Sequence, residues 1–215
     1  MIKENDCVKI NYNAYVKESK SLFDTTSEAV AKEMGIYQQG NEYEPIRVIV
    51  GRGFVVKGLD KSLENREAGG KYEIIVPASE GFGDWTNKLT ENIKMKSFRD
   101  KGINPETGML INVDNKIGRV MFVSRGRFAK LDYNHPLAGK DLIYDVEILE
   151  ILEKPEDKVN TIVYSLLGKQ AKISFEEKNI GIKTAAEIPE NLKKAVEELV
   201  KETLKKGYTL SFIVK

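Results

Sequence analysis

The strictest constraint on this chain is a side-chain period of two that returns in four segments far apart in sequence. From Val8 to Tyr15, Val8, Ile10, Tyr12 and Ala14 alternate with Lys9, Asn11 and Asn13. The same period recurs in Ile46, Val48 and Val50, in Tyr72, Ile74 and Val76, and in Leu142, Tyr144, Val146 and Ile148. Successive strand side chains point to opposite faces, so each run reads as a half-buried strand. Together they predict one antiparallel sheet with a wet and a dry face. A dry face needs a cover. "GFVVKGLDKSLEN" supplies a short helix after Gly53, with Leu59 and Leu63 one turn apart on one side. "SEAVAKEMG" predicts a second small helix that starts at a Ser or Thr cap and stops at Gly35.

Between Asp84 and about Ala129 the pattern changes. A mixed run, "NIKMKSFRDKG", precedes two strand-like segments, "GMLINV" and "GRVMFVSR", joined by the turn "DNKIG". This reads as a small α+β insert over 86–128. Its apolar residues Ile93, Met95, Phe98, Met109, Leu110, Ile111, Met121 and Phe122 are many for about 45 residues, a size that buries them incompletely. Some of them therefore form a core, and the rest form a surface.

"EKPEDK" at 153–158 is a charged, Pro-containing break. After it come a helix near 157–167, a strand "QAKISFEE", a helix from Pro189 to Lys206 and a final strand "YTLSFIVK". The long helix places Leu192, Val196, Leu199, Thr203 and Leu204 on one side, and Gly207 ends it. About 60 residues are few for an independent core, so this region is expected to dock on the rest or to pair with a second copy as a homodimer.

Composition narrows the partners. Thirty-four Lys and Arg against 33 Asp and Glu leave a formal charge of +1, spread without a basic stripe. Nucleic acid and anionic membrane are excluded as main partners, since both need clustered cations. "MIKENDCVKI" has no apolar signal region and no run approaches a membrane span, so a cytoplasmic location is expected. Cys7 and His135 are the only cysteine and histidine. Neither a disulfide within the chain nor a usual transition-metal site follows, and Cys7, on a strand among apolar positions, reads as a buried structural thiol.

The order "NYNAYV…SLFDTT…IRVIVGRGFVVKGLDKSLENREAGGKYEIIVPASEGFGD", then an insert, then "NHPLAGKDLIYDVEILEI", resembles the FKBP-type peptidyl-prolyl isomerases over residues 1 to 153. More narrowly it is similar to the SlyD-like branch, whose insert-in-flap domain interrupts the loop before the last strand, and to its long archaeal members. The resemblance implies an α+β fold. An FKBP-like half-open antiparallel β-sheet around a short helix would span 1–85 and 129–153, with a chaperone insert at 86–128 and a C-terminal α+β domain at 154–215. It also implies cis/trans isomerisation of X-Pro bonds without a cofactor, acting on unfolded or partly folded polypeptides.

On the same resemblance, Tyr12 and Phe23 wall the prolyl pocket and Asp24 stands at its mouth. Val55 and Val56 supply wall and backbone contacts, and Leu59 is the floor. Phe82, His135 and Leu137 match the flap and the loop over the pocket, and Tyr144 closes the far side. Ile46 and Val48 are further wall candidates. Exposed Ile93, Met95, Phe98, Met109, Leu110, Met121 and Phe122 would form the insert's client surface. From the residues alone, other readings stay open: Tyr12, Val48 and Tyr144 fit core packing, and Asp24 before "TTS" fits a turn or cap. "GRGFVVKG" lacks the spacing of a phosphate loop and reads as a turn.

Two positions depart from the family pattern. Leu59 stands where many members have Trp, and Phe82 stands where a Tyr hydroxyl is common, which argues against tight binding of the family's macrolide ligands. The tail "YTLSFIVK" lacks the His and Cys of nickel-binding relatives, so no physiological metal is expected. His135, between Asn134 and Pro136, is expected to shape the loop by packing and hydrogen bonding instead of moving a proton.

Overall fold

The computed structural model describes residues 1–204 and 207–214. In chain order its elements are β1 (Cys7–Val16), β2 (Leu22–Thr25), α1 (Glu28–Glu33), β3 (Ile46–Ile49), α2 (Lys57–Leu63), β4 (Lys71–Val76), β5 (Thr90–Lys94), α3 (Met95–Arg99), β6 (Leu110–Val113), β7 (Lys116–Ser124), β8 (Phe128–Asp132), β9 (Leu142–Leu152), α4 (Pro155–Leu167), β10 (Lys172–Glu176), β11 (Asn179–Thr184), α5 (Glu190–Leu204) and β12 (Thr209–Val214). The chain forms two compact units, Met1–Gly81 with Asp141–Lys215, and Phe82–Lys140.

The main sheet of the first unit orders its strands as β2-β1-β9-β4, with β3 also on β1, and every pairing within that sheet is antiparallel. The spine is β1 against β9, where Tyr12 lies opposite Val146 and Ala14 opposite Tyr144. Because the strand period is two, this register sends Tyr12, Ala14, Ile74, Tyr144 and Val146 to the dry face and Asn11, Asn13, Glu73, Asp145 and Glu147 to the wet one. The pairing steps from Lys9–Glu150 to Ile10–Ile148, leaving Leu149 as the extra residue of a bulge that preserves the alternation of β1. A cleft of about 800 Å³ is lined by the wet-face residues Asn11, Asn13, Glu73, Asp145 and Glu147, and Tyr12, Tyr72 and Val146 also contribute to its lining.

Helix α2 covers the dry face, with Leu59 and Leu63 fully buried. Gly58 allows that approach: a Cβ there would stand 2.7 Å from Val76 Cγ1. Ser27 caps α1, its hydroxyl accepting from Val30 N, and Gly35 follows the helix at φ +71°.

The C-terminal region joins the same unit. Helices α4 and α5 pack together, and Val159, Ile162, Val163, Ile180, Ile182, Val196 and Val200 share one buried cluster with Cys7 and Ile49 of the sheet. Pro155 occupies the first turn of α4, where its missing N–H costs nothing, so the 153–158 break is the start of a helix. In the sheet β10-β11-β12, β11 pairs antiparallel with β10 and parallel with β12, α5 forming the crossover. The helix expected to reach Lys206 is described through Leu204; 205 and 206 lie outside the described residues.

The second unit is a sheet of order β5-β8-β7-β6, with α3 against one face. Asp114 and Asn115, at φ +49° and +65°, make the two-residue turn between β6 and β7, as the "DNKIG" signal predicts. Its core is Met95, Phe98, Ile111, Val120, Ala129 and Leu131. Met95 (8% exposed) and Phe98 (2%) are thus corrections to the expected client surface, because α3 turns them onto the sheet. Ile93 is half-buried against the same core.

Candidate functional site

The aromatic site of the first unit is built on adjacent strands. Tyr12 comes from β1, Phe23 and Asp24 from β2, and Tyr144 from β9. The Tyr12 and Tyr144 rings lie 5.9 Å apart, tilted by 59°, and Phe23 meets Tyr144 edge-on at 6.2 Å. These are favourable aromatic geometries, and they make a wall of fixed shape. The Tyr12 hydroxyl donates to Asp24 Oδ2 at 2.6 Å, and Asp24 Oδ1 accepts from Thr25 N at 2.9 Å. The aspartate is thereby held at the exposed rim, serving both as a turn residue and as a partner of the wall.

Burial pushes the Tyr12 phenol well above its ordinary range, helped by the hydrogen bond to Asp24 and that residue's charge. Burial and the Asp24 charge push Tyr144 up to about 12. Both phenols are therefore neutral donors at any physiological pH. Leu59 is buried on α2, Val55 and Val56 are half-buried just before it, Val48 is buried on β3, and Ile46 is half-buried. No activated nucleophile stands among these side chains, and the described residues hold no group of three potential metal ligands.

Phe82, His135 and Leu137 belong to the second unit. There the Phe82 and His135 rings stack with centroids 4.4 Å apart and planes 5° apart. His135 Nδ1 accepts from Leu137 N at 3.1 Å, His135 O accepts from Ala138 N at 2.9 Å, and Gly139, at φ +73°, donates from N to Gly83 O at 2.8 Å. The histidine is thus a ring support and a turn acceptor, with its proton on Nε2 when neutral.

A polar clasp missed in the sequence closes the base of this unit. Asp132 Oδ2 accepts from Trp85 Nε1 at 2.8 Å, and its Oδ1 accepts from Asn134 N and Nδ2 at 2.8 and 2.6 Å. The Asn134 amide in turn pairs with the Thr86 backbone, accepting from N at 3.0 Å and donating to O at 2.9 Å. "LDYNHP" carried the only hint, an Asp and an Asn two apart before a Pro.

The sheet face opposite α3 carries large exposed apolar side chains. Leu110 and Ile117 are 60% and 66% exposed, and Met109, Met121 and Phe122 are exposed as well. The β7–β8 register explains the last two. Val120 pairs with Leu131 and Phe122 with Lys130, so Met121 is the extra residue of a bulge and two successive large side chains face outward. Phe122 meets Phe128 edge-on at 6.0 Å. Ile117 was missed because it lies inside a turn signal.

A half-open antiparallel sheet laid over a short helix, with an aromatic site on its dry face and an inserted unit before its last strand, defines the FKBP-type class of domain. A family model described as "FKBP26, IF domain" matches residues 92–137. Over 151 residues, 70% of this chain, the sequence is 32% identical to a short-type peptidyl-prolyl cis-trans isomerase of Methanocaldococcus jannaschii, and the match spans 94% of that protein. It is 28% identical over 149 residues to the FKBP-type peptidyl-prolyl cis-trans isomerase SlyD of Haemophilus influenzae, covering 67% of this chain and 77% of the relative. Identity to the SlyD of Escherichia coli K12 is 26% over the same length. The chain belongs to the FKBP-type peptidyl-prolyl isomerase family, in its SlyD-like branch with an insert-in-flap domain.

Proposed function

We propose that the protein is a prolyl isomerase that is also a folding chaperone. Rotation about an X-Pro amide faces a barrier of roughly 18–20 kcal/mol and takes tens to hundreds of seconds unaided, yet no bond is made or broken. A catalyst needs to hold the prolyl ring, exclude water from the amide and favour the twisted, less charge-separated state. The observation that carries this reading is the wall of Tyr12, Phe23 and Tyr144 with Asp24 bonded to Tyr12, supported by buried Leu59 and by Val55 and Val56. Ile46 and Val48 extend it as weaker wall residues. Phe82, His135 and Leu137 are assigned to the flap on the family pattern.

Clients are unfolded or partly folded chains containing X-Pro, held on exposed Met109, Leu110, Ile117, Met121 and Phe122. Tethering the client to the same chain raises the effective concentration of its prolines at the pocket. The functional division follows: isomerase over 1–85 and 129–153, client capture over 86–128, and a C-terminal domain from 154. Replacing 86–128 by a Gly linker should spare tetrapeptide isomerisation and sharply lower catalysis of a proline-limited refolding reaction. Equal loss on both substrates would sink the proposal. A holdase without catalysis is the second reading, favoured by Leu59 at the floor and by the exposed apolar face; it predicts no acceleration of a tetrapeptide.

A further inference from the structure

None of the residues assigned to the prolyl site lies in the C-terminal region, but several contacts of that region reach the segment that leads into the site. Residues 51–54 are a loop with Gly51 and Gly53 at φ +80° and +70°, a backbone with large freedom when unfolded. Val55 and Val56 follow directly, and α2 begins at Lys57. On the isomerase side the loop is held by buried Asp60, whose two carboxylate oxygens accept from Gly51 N and Gly53 N at 2.9 Å each. On the other side it is held by the C-terminal domain. Phe54, half-buried, packs against the cluster in which Val159, Ile162, Val163, Val196 and Val200 of that domain meet Cys7 and Ile49 of the sheet. Arg52 pairs with Glu202 of α5, and its Nε donates to Asn5 Oδ1 at 2.7 Å. Asn5 is tied to the same domain, its carbonyl accepting from Lys158 Nζ at 2.9 Å.

We infer that the C-terminal domain is a positioning element for the prolyl pocket: Phe54, packed against the core this domain shares with the sheet, and Arg52, paired to Glu202, hold the 51–56 segment so that Val55 and Val56 are presented in one conformation. This rests on the assignment of Val55 and Val56 to the pocket. Without the anchor, substrate has to order the segment as it binds, and that ordering cost is charged equally to the ground state and the transition state. The loss therefore falls on KM and leaves kcat in place.

Full-length protein is compared with Phe54→Ala, Arg52→Met and Lys169→Met. Lys169 serves as control because its pairs reach Glu42 and Glu44, across the same domain contact but away from the 51–56 segment. For a prolyl tetrapeptide, Phe54→Ala should raise KM about three- to tenfold with kcat within about twofold, Arg52→Met should do so more weakly, and Lys169→Met should do neither. A fall in kcat at constant KM would mean simple loss of folded protein and would overturn the inference. Amide exchange is read on the same samples: residues 51–56 should exchange faster in Phe54→Ala while β1 and β9 keep their protection. An inactive wild type would refute the isomerase reading, and exchange at 51–56 would still decide the anchoring. Unchanged exchange there overturns it.

Discussion

Removing the carboxylate at the base of the insert, Asp132→Ala, should destabilise the Phe82–Lys140 unit by about 2 kcal/mol. The variant loses the bonds from Trp85 Nε1, Asn134 N and Asn134 Nδ2. The carboxylate is only partly shielded from water, so each bond is taken at about 0.5–1 kcal/mol instead of the larger value for a buried charged pair. The unit runs from 82 to 140, or 59 residues, over six buried core side chains. A stability of roughly 0.05–0.15 kcal/mol per residue gives it about 3–9 kcal/mol, so the clasp is a large share. Trp85 is the only tryptophan and sits in the clasp, so its emission during urea unfolding reports this unit. With a slope of about 1 kcal/mol/M, the midpoint should fall by about 2 M. Asp132→Asn, which keeps one acceptor oxygen, should recover part of the loss.

The pH dependence of that difference follows from the shift. Partial burial opposes the charged form of Asp132, but bonds from Trp85 and Asn134 and the charge of Arg119 outweigh it and hold the carboxyl below its usual range. A depressed folded value means the stabilisation is complete above the unfolded value of about 3.9 and disappears as pH falls through the folded one. An unmoved urea midpoint at pH 7, or a gap between wild type and Asp132→Ala that widens toward acid, would refute the reasoning.

Other outcomes are equally direct. Leu110→Ser with Ile117→Ser and Phe122→Ser should abolish most acceleration of protein refolding and leave tetrapeptide turnover unchanged, measured side by side; loss of both would deny a separate client surface. His135→Ala should cost about 1 kcal/mol of transition-state binding, roughly fivefold in kcat/KM, measured on a prolyl tetrapeptide, since its ring stacks on Phe82 and accepts from Leu137 N; a loss of several hundredfold would restore a catalytic role. The raised phenol values of Tyr12 and Tyr144 hold their protons more tightly in the fold than in the open chain. Stability should therefore be level up to pH ~10 and fall above it as the unfolded tyrosines ionise, which thermal melting across alkaline pH would check. Ile162→Ala, in the cluster shared with Cys7 and Ile49, should cost about 2–5 kcal/mol and expose the thiol of Cys7 to a disulfide reagent that the native protein resists.

Much of this fold is written in local pattern. The runs through Ile10, Ile74 and Ile148 each alternate over a surface that is dry on one side, and a period of two leaves little choice of register. Strand β11 is harder to read because its two buried isoleucines are separated by Gly181 and flanked by Asn179 and Lys183, and only the partners on either side make it a central strand. Strand β5 and the buried side of α3 depend on contacts across the unit, which explains why Met95 and Phe98 read as surface from the sequence and are core in the fold. The aromatic wall was legible through the family pattern, whereas the Tyr12–Asp24 bond and the anchoring of Phe54 are products of tertiary packing without a local signal.

The central claim is catalysis at the aromatic wall, and proline isomerisation of a tetrapeptide, followed without a coupling protease, tests it most directly. Micromolar protein should shorten the uncatalysed relaxation of tens to hundreds of seconds, and Tyr144→Ala with Phe23→Ala, confirmed folded, should return it to the uncatalysed rate. Relaxation unchanged by the wild-type protein, or acceleration that survives loss of both rings, would contradict the account.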